Sequence, residues 1–98
     1  MYRNIEMEKI AMNLSIRVEI FKEDDVYVAL SPELNVSSFG ETIDEAKKSI
    51  REAIEGFLQE CREMGSLNEV LEESGFLRVE NSWQSRIPVA KENLALAV

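Results

Sequence analysis

Between Thr42 and Gly65, apolar side chains recur every three or four residues: Ile43, Ala46, Ile50, Ala53, Ile54, Phe57, Leu58, Cys61 and Met64. This spacing places them on one stripe of a helix. Thr42 followed by Glu45 forms a capping box, in which each side chain satisfies a main-chain donor left free at a helix start, and Gly65 supplies the stop. The helix is about 22 residues long, which at about 1.5 Å per residue is about 33 Å. A strand of ordinary length covers only about 17–20 Å, so part of the helix overhangs any sheet it packs on. With 98 residues in all, the chain has room for one domain built around it.

The segments on either side read as strands. Ile10, Met12, Leu14, Ile16, Val18 and Ile20 alternate with Ala11, Asn13, Ser15, Arg17 and Glu19, the pattern of a strand with one buried face. After the acidic tip Glu23, Asp24, Asp25, a second strand carries Val26, Val28 and Leu30 on one parity and Tyr27, Ala29 and Ser31 on the other. A three-residue loop sets Phe21 opposite Tyr27 on the outer face and Ile20 opposite Val28 on the inner one, with Asp25 taking the left-handed conformation. Pro32 ends this strand, Asn35 to Phe39 make a third, and Gly40 turns the chain.

Beyond the long helix, Ser66 and Glu69 repeat the capping pattern. Leu67, Val70 and Leu71 before Gly75 then predict a short second helix that covers some of the overhang. Phe76 to Glu80, followed by Asn81, Ser82 and Trp83, reads as a strand and turn leading to Pro88, and Leu94, Leu96 and Val98 alternate as a final edge strand. The expected fold is α+β: a three- to four-stranded antiparallel sheet packed against one long helix, in the order β-β-β-α-α-β. Within a single domain over 1–98, residues 1–11 form an N-terminal extension and 76–98 a strand-like C-terminal one. Met7 and Met12 stand beside Met1 as alternative starts.

Composition narrows the function. Nineteen acidic against eleven basic side chains give a formal charge of −8, which repels a phosphate backbone and favours a basic protein as partner. Histidine is absent, removing the side chain most used for proton transfer near neutral pH and the commonest metal ligand. No phosphate-cradling glycine loop, zinc pattern, catalytic triad or dinucleotide fingerprint is present, and no cofactor is expected. The lone Cys61 forms no internal disulfide, no segment reads as a secretory signal, and no apolar run approaches the roughly 18 residues of a membrane span. A cytoplasmic location is expected.

Several residues have a structural reading first. Cys61, on the apolar stripe, reads as a core residue, and Trp83 as a cover for a gap beside the second helix. Gly56 inside the long helix costs about 1 kcal/mol relative to alanine, which predicts a close neighbour there. Arg17, Lys22, Lys47, Lys48 and Arg51 are the main basic grouping, interleaved with Glu19, Asp44, Glu52 and Glu55. Pairs such as Asp44 with Lys48 and Arg51 with Glu55 explain them as surface salt bridges.

The run Val18 to Ala46, VEIFKEDDVYVALSPELNVSSFGETIDEA, resembles the N-terminal domain of the HicB antitoxin family. The resemblance rests on Glu23, Asp24 and Tyr27 to Ala29, then Pro32, Glu33 and Leu34, then Gly40, Thr42, Glu45 and Ala46. It continues more loosely through Ile50, Glu52, Ala53 and Ile54, covering about half the chain. The sequence departs from the family at Asp25, where glycine is common, and at Phe39, where glutamine is frequent. The resemblance implies a partial double-stranded-RNA-binding-like fold, and a protein that blocks the active site of a small basic RNase toxin of the HicA type. Many members also carry a C-terminal DNA-binding segment, and the roughly 23 residues after Gly75 leave no room for a helix-turn-helix.

The leading expectation is a non-enzymatic, homo-oligomeric, HicB-like antitoxin that covers the RNase toxin's active site. Glu23, Asp24, Asp25 and Glu33 are the toxin-facing candidates, being acidic and on loops. Phe21, Tyr27, Phe57, Cys61 and Met64 are the candidates for self-association. The alternative is a stand-alone oligomeric binding or scaffold protein of the same fold with no toxin partner. Direct DNA or RNA binding is disfavoured by the charge, and no membrane association is expected.

Overall fold

The computed structural model describes residues 13–98, in the order β1 (Asn13–Ser15), β2 (Glu19–Glu23), β3 (Val26–Ser31), β4 (Val36–Gly40), α1 (Ile43–Glu63), α2 (Leu67–Glu73), β5 (Leu77–Val79) and β6 (Ser82–Gln84). The expected N-terminal extension and the start of the first alternating run lie outside the described residues. The described residues are α+β, with one long helix and two three-stranded sheets instead of the single sheet expected.

The larger sheet is the antiparallel meander β2-β3-β4. Its hairpin turns through two residues, with Glu23 opposite Val26, Lys22 opposite Tyr27, Phe21 opposite Val28 and Ile20 opposite Ala29. The three-residue loop is thus corrected to a two-residue one, and the left-handed φ falls on Asp24, at 55°, not on Asp25. Shortening the loop by one residue reverses the facing of β3, since strand side chains alternate with period two. Ala29 and Ser31 are fully buried on the helix side with Ile20 and half-buried Tyr27, whereas Val28 pairs with Phe21 on the opposite face.

This choice follows from how closely the helix approaches. Ala29 on the sheet and Ala46 on α1 are both 0% exposed, and the Ser38 and Ser49 hydroxyls hydrogen-bond between β4 and α1. Small inward residues let the helix axis sit near the strands, and larger ones further along, Ile50 and Ile54, complete this first core with Val36 and Leu34. Gly40 does not turn the chain through a left-handed φ. A Cβ there would lie 2.6 Å from the Ala46 nitrogen, so its role is to let the end of β4 pass the first turn of α1.

Thr42 caps α1 as the sequence predicts, its Oγ1 accepting from the Glu45 amide at 3.0 Å. Glu45 Oε1 reaches past the cap to accept from the Glu41 amide at 2.9 Å. Gly65 ends the helix with a φ of 74°, and Gly75 follows α2 with a φ of 94°. The second capping box does not form: Ser66 Oγ donates instead to the Cys61 carbonyl at 3.3 Å, tying the start of α2 to the end of α1. Of the two helical ion pairs expected, Arg51 and Glu55 approach to 4.0 Å, a surface contact of little energetic weight, while Asp44 and Lys48 are not paired.

The overhang is covered within the chain. The C-terminal half of α1 joins α2 and the small sheet β1-β6-β5 in a second core of Cys61, Leu67, Leu71, Phe76 and Trp83. Trp83 is 5% exposed and lies beside the second helix, as its reading predicts. This sheet contains a parallel pair, β1 with β6, so the first alternating run is not one strand: β1 and β2 belong to different sheets. The final edge strand is also absent, since the described residues after Gln84 form no strand and Leu94, Leu96 and Val98 are all at least 75% exposed.

Gly56 has no atom within 4 Å of a Cβ built on it, so no neighbour explains it, contrary to the sequence expectation. Gly56→Ala is expected to stabilise the protein by about 1 kcal/mol through reduced chain entropy in the unfolded state, raising the thermal midpoint by several degrees in a calorimetric scan.

Candidate functional site

Because β2 runs up to the hairpin turn and β4 runs in the same direction, the turn and the end of β4 lie at one end of the sheet, where Tyr27 pairs with Gly40. The N-terminus of α1 begins there as well. Glu23, Asp24 and Asp25 at the tip are therefore joined by Glu41, Asp44 and Glu45 from the β4-α1 connection, and all six are exposed. Glu41, Asp44 and Glu45 were not among the sequence candidates. Their signal was available in the strand order, since a third antiparallel strand returns the chain to the level of the hairpin tip. Lys22 is the nearest cation on β2, and its Nζ is 5.7 Å from the Tyr27 ring centroid. It is thus partly engaged with that ring.

Glu33 does not belong to this surface. It lies at the opposite end of the sheet, past β3, with a side chain only 9% exposed and an ion pair of 3.2 Å from its Oε2 to Arg17 Nη2. Its role is to anchor the β1-β2 connection against the β3-β4 one, and its placement among the exposed toxin-facing acids is corrected. The sequence conveyed its loop position but not its partner, which is 16 residues earlier.

The self-association candidates separate as well. Phe21 is 50% exposed on the outer face of the sheet, but Tyr27 faces the helix, so the two do not form a pair. Phe57 packs on the second core and Cys61 is 6% exposed inside it, which removes both from a free surface; Met64 is 77% exposed. The outer face instead carries the cross-strand row Phe21, Val28 and Phe39, with Phe39 67% exposed.

Comparison with protein-family models, curated proteins and solved structures finds no match to this chain. The chemistry available at the acidic end is accordingly read from its side chains. Six carboxylates on one end, without a histidine or an accessible thiol nearby, provide electrostatic attraction for cations and hydrogen-bond acceptors for lysine and arginine side chains. Among the described residues no group of three or more side chains is placed to hold a metal ion, and no helix is long and apolar enough to cross a membrane.

Proposed function

We propose that this protein is a HicB-like antitoxin of the partial double-stranded-RNA-binding-like fold. In this reading it is a cytoplasmic, non-enzymatic homo-oligomer that binds and neutralises a small basic RNase toxin of the HicA type. The observation that carries the reading is the acidic end of the larger sheet, to which the hairpin turn, the β4-α1 connection and the first turn of α1 bring Glu23, Asp24, Asp25, Glu41, Asp44 and Glu45 in a chain of net charge −8. An RNase must attract phosphates with a cationic groove. Carboxylates held at a sheet end compete with RNA for the same cations and exclude the substrate by occupying its place. The order hairpin, strand, long helix agrees with what the resemblance implies.

The reading is tested by co-expressing the chain with a small basic protein encoded beside it, purifying through a tag on that partner, and assaying RNA cleavage. Co-purification with loss of cleavage is expected, and undiminished cleavage in the presence of the purified chain would overturn the reading. Within such a complex, Glu23→Lys and Asp25→Lys combined with Asp24→Asn, which tolerates the left-handed φ, are expected to slow association at least tenfold. Stopped-flow mixing at low and high salt checks this, because raising the salt should remove most of the difference between the two proteins.

The apolar row of exposed Phe21 and Phe39 with Val28 between them suits self-association with or without a toxin, so it is equally compatible with the alternative, a stand-alone oligomer of the same fold with no toxin. A chain that self-associates but captures no basic partner would support it.

A further inference from the structure

On the helix side of the larger sheet, α1 packs over β3 and β4 and leaves the approach to β2 open. Leu14, Ile16 and Val18 turn toward α1 from this approach, at the period of two that the alternating run predicts, but the helix lies too far toward β4 to cover them fully. What remains is a groove of about 760 Å³ between them and the α1 side chains Ile50, Ile54 and Leu58. Val18 and Ile50 lie at one end, and Leu14 and Leu58 meet Leu67 of α2 at the other. The volume falls within the roughly 300–1,000 Å³ of small-molecule sites.

The charge on this groove is opposite to that of the chain. All four cations of α1, Lys47, Lys48, Arg51 and Arg62, line it, whereas Glu55 alone of the acids on the helix does so. Four positive side chains against one negative leave the groove at +3 in a chain of −8. Helical geometry produces the segregation. Lys47, Arg51, Leu58 and Arg62 follow one another at four, seven and four residues and share a face, and Glu45, Glu52, Glu60 and Glu63 fall outside it. Asp44, which precedes them, stands at the acidic end of the sheet and forms no ion pair with Lys48. Arg51 and Glu55 meet at 4.0 Å as an exposed pair of little weight, and Lys47, Lys48 and Arg62 have no ion-pair partner among the described residues. All four cations are exposed and available to an anion.

The groove is narrow as well as cationic. Ile50 and Ile54 on its floor are 2% and 6% exposed, beyond the reach of a docked helix about 10–12 Å across. An extended peptide would need main-chain partners along its length, and the residues of β2 do not line the groove. A hydrocarbon chain needs none. Residues 1–12 carry Arg3 and Lys9 against Glu6 and Glu8 and bring no net negative charge, and a basic toxin is repelled from this side. We infer that the groove binds a free long-chain fatty acid, with the carboxylate among Lys47, Lys48 and Arg51 and the chain along Ile54 and Leu58 toward Leu14 and Leu67. Arg51 to Arg62 is eleven residues, about 16 Å of helix at about 1.5 Å each. An extended alkyl chain with bonds of about 1.5 Å advances about 1.3 Å per carbon and covers this length with about twelve carbons. No aromatic ring lines the groove, which suits a flexible chain better than a flat one, and the aliphatic stem of Arg62 lies beside the tail.

Calorimetric titration of the full chain with dodecanoate should show one molecule bound per chain at micromolar affinity. Octanoate, four methylenes shorter, should bind at least tenfold more weakly, and dodecyltrimethylammonium, with the same tail and the opposite charge, should not compete. Methyl NMR should place the shifts on Leu14, Ile16, Ile54 and Leu58 and leave Val28 on the outer face unmoved. The triple variant Lys47→Gln, Lys48→Gln, Arg51→Gln should lose about tenfold in affinity while keeping its circular dichroism spectrum, because all three side chains are exposed. No binding below millimolar dodecanoate, equal binding of the cationic amphiphile, an unaffected triple variant, or shifts confined to the outer face or to residues 87–98 would each overturn the assignment. So would NMR contacts that place residues 1–12 in the groove and keep dodecanoate out. RNase capture is measured separately, and the antitoxin reading stands or falls without this site.

Discussion

Gly40→Ala is expected to destabilise the protein by about 3 kcal/mol, lowering the thermal midpoint by roughly 12–20 °C, a large share of the stability of a domain this size. The added methyl would lie 2.6 Å from the Ala46 nitrogen and 2.7 Å from both the Glu45 carbonyl carbon and Cβ. Two of these three atoms are main chain in the first turn of α1, so no side-chain rotation relieves the overlap. Relief requires the end of β4 to move away from the helix, which loosens fully buried Ala46 and strains the hydrogen bond between Ser38 and Ser49. The cause is a close contact, since Gly40 has no left-handed φ. Ala46→Gly removes none of the clashing atoms and therefore should not rescue the variant. Urea unfolding followed by far-ultraviolet circular dichroism measures the loss, and a midpoint within error of wild type would refute this account. Gly56→Ala makes the same chemical change with the opposite expected sign, because its Cβ meets open space.

Leu71→Ala is expected to cost about 3–4 kcal/mol. Leu71 is 1% exposed and packs among Cys61, Leu67, Phe76 and Trp83, so truncation removes contacts on every side and leaves a cavity that rigid neighbours fill only in part. The variant also tests how the two cores communicate. Trp83, the single tryptophan, reports on the second core, while far-ultraviolet circular dichroism reports mainly on α1, which runs through both. Because the helix is shared, fluorescence and circular dichroism should show one transition, displaced together to lower denaturant. Two separated midpoints would show that the core under β1-β6-β5 unfolds without the one under β2-β3-β4.

Half of the acidic site was read from local sequence and half needed the strand order. Glu23, Asp24 and Asp25 are adjacent in the chain at a hairpin tip, so local pattern alone puts them on a surface. Glu41, Asp44 and Glu45 join them only because β4 runs up to the tip, a fact about strand direction. Glu33 was misread because a loop position says nothing of a partner. Arg17 meets it only when the β1-β2 and β3-β4 connections come together at the other end of the sheet.

What the sequence determined by itself is whatever short-range chemistry specifies. Thr42, Glu45 and Gly65 bound the long helix, and the three-and-four spacing names the buried residues Ala46, Ile50, Ile54 and Cys61, although Ile43 and Met64 at the ends of the stripe are exposed. Gly75 stops the second helix, and Cys61 and Trp83 lie inside because large apolar residues there had no other use. Tertiary structure decided the rest. On β3, alternation required one parity to face the helix but could not choose between Val26, Val28 and Leu30 and the smaller Tyr27, Ala29 and Ser31 set. Hydrophobicity favours the first set, yet close approach of α1 at Gly40 and Ala46 requires Ala29 and Ser31, and packing prevailed over polarity. The division of the first alternating run between two sheets was also set at long range. Asn13–Ser15 pair in parallel with β6, about 69 residues away, and no local pattern records which distant strand will supply the missing hydrogen bonds.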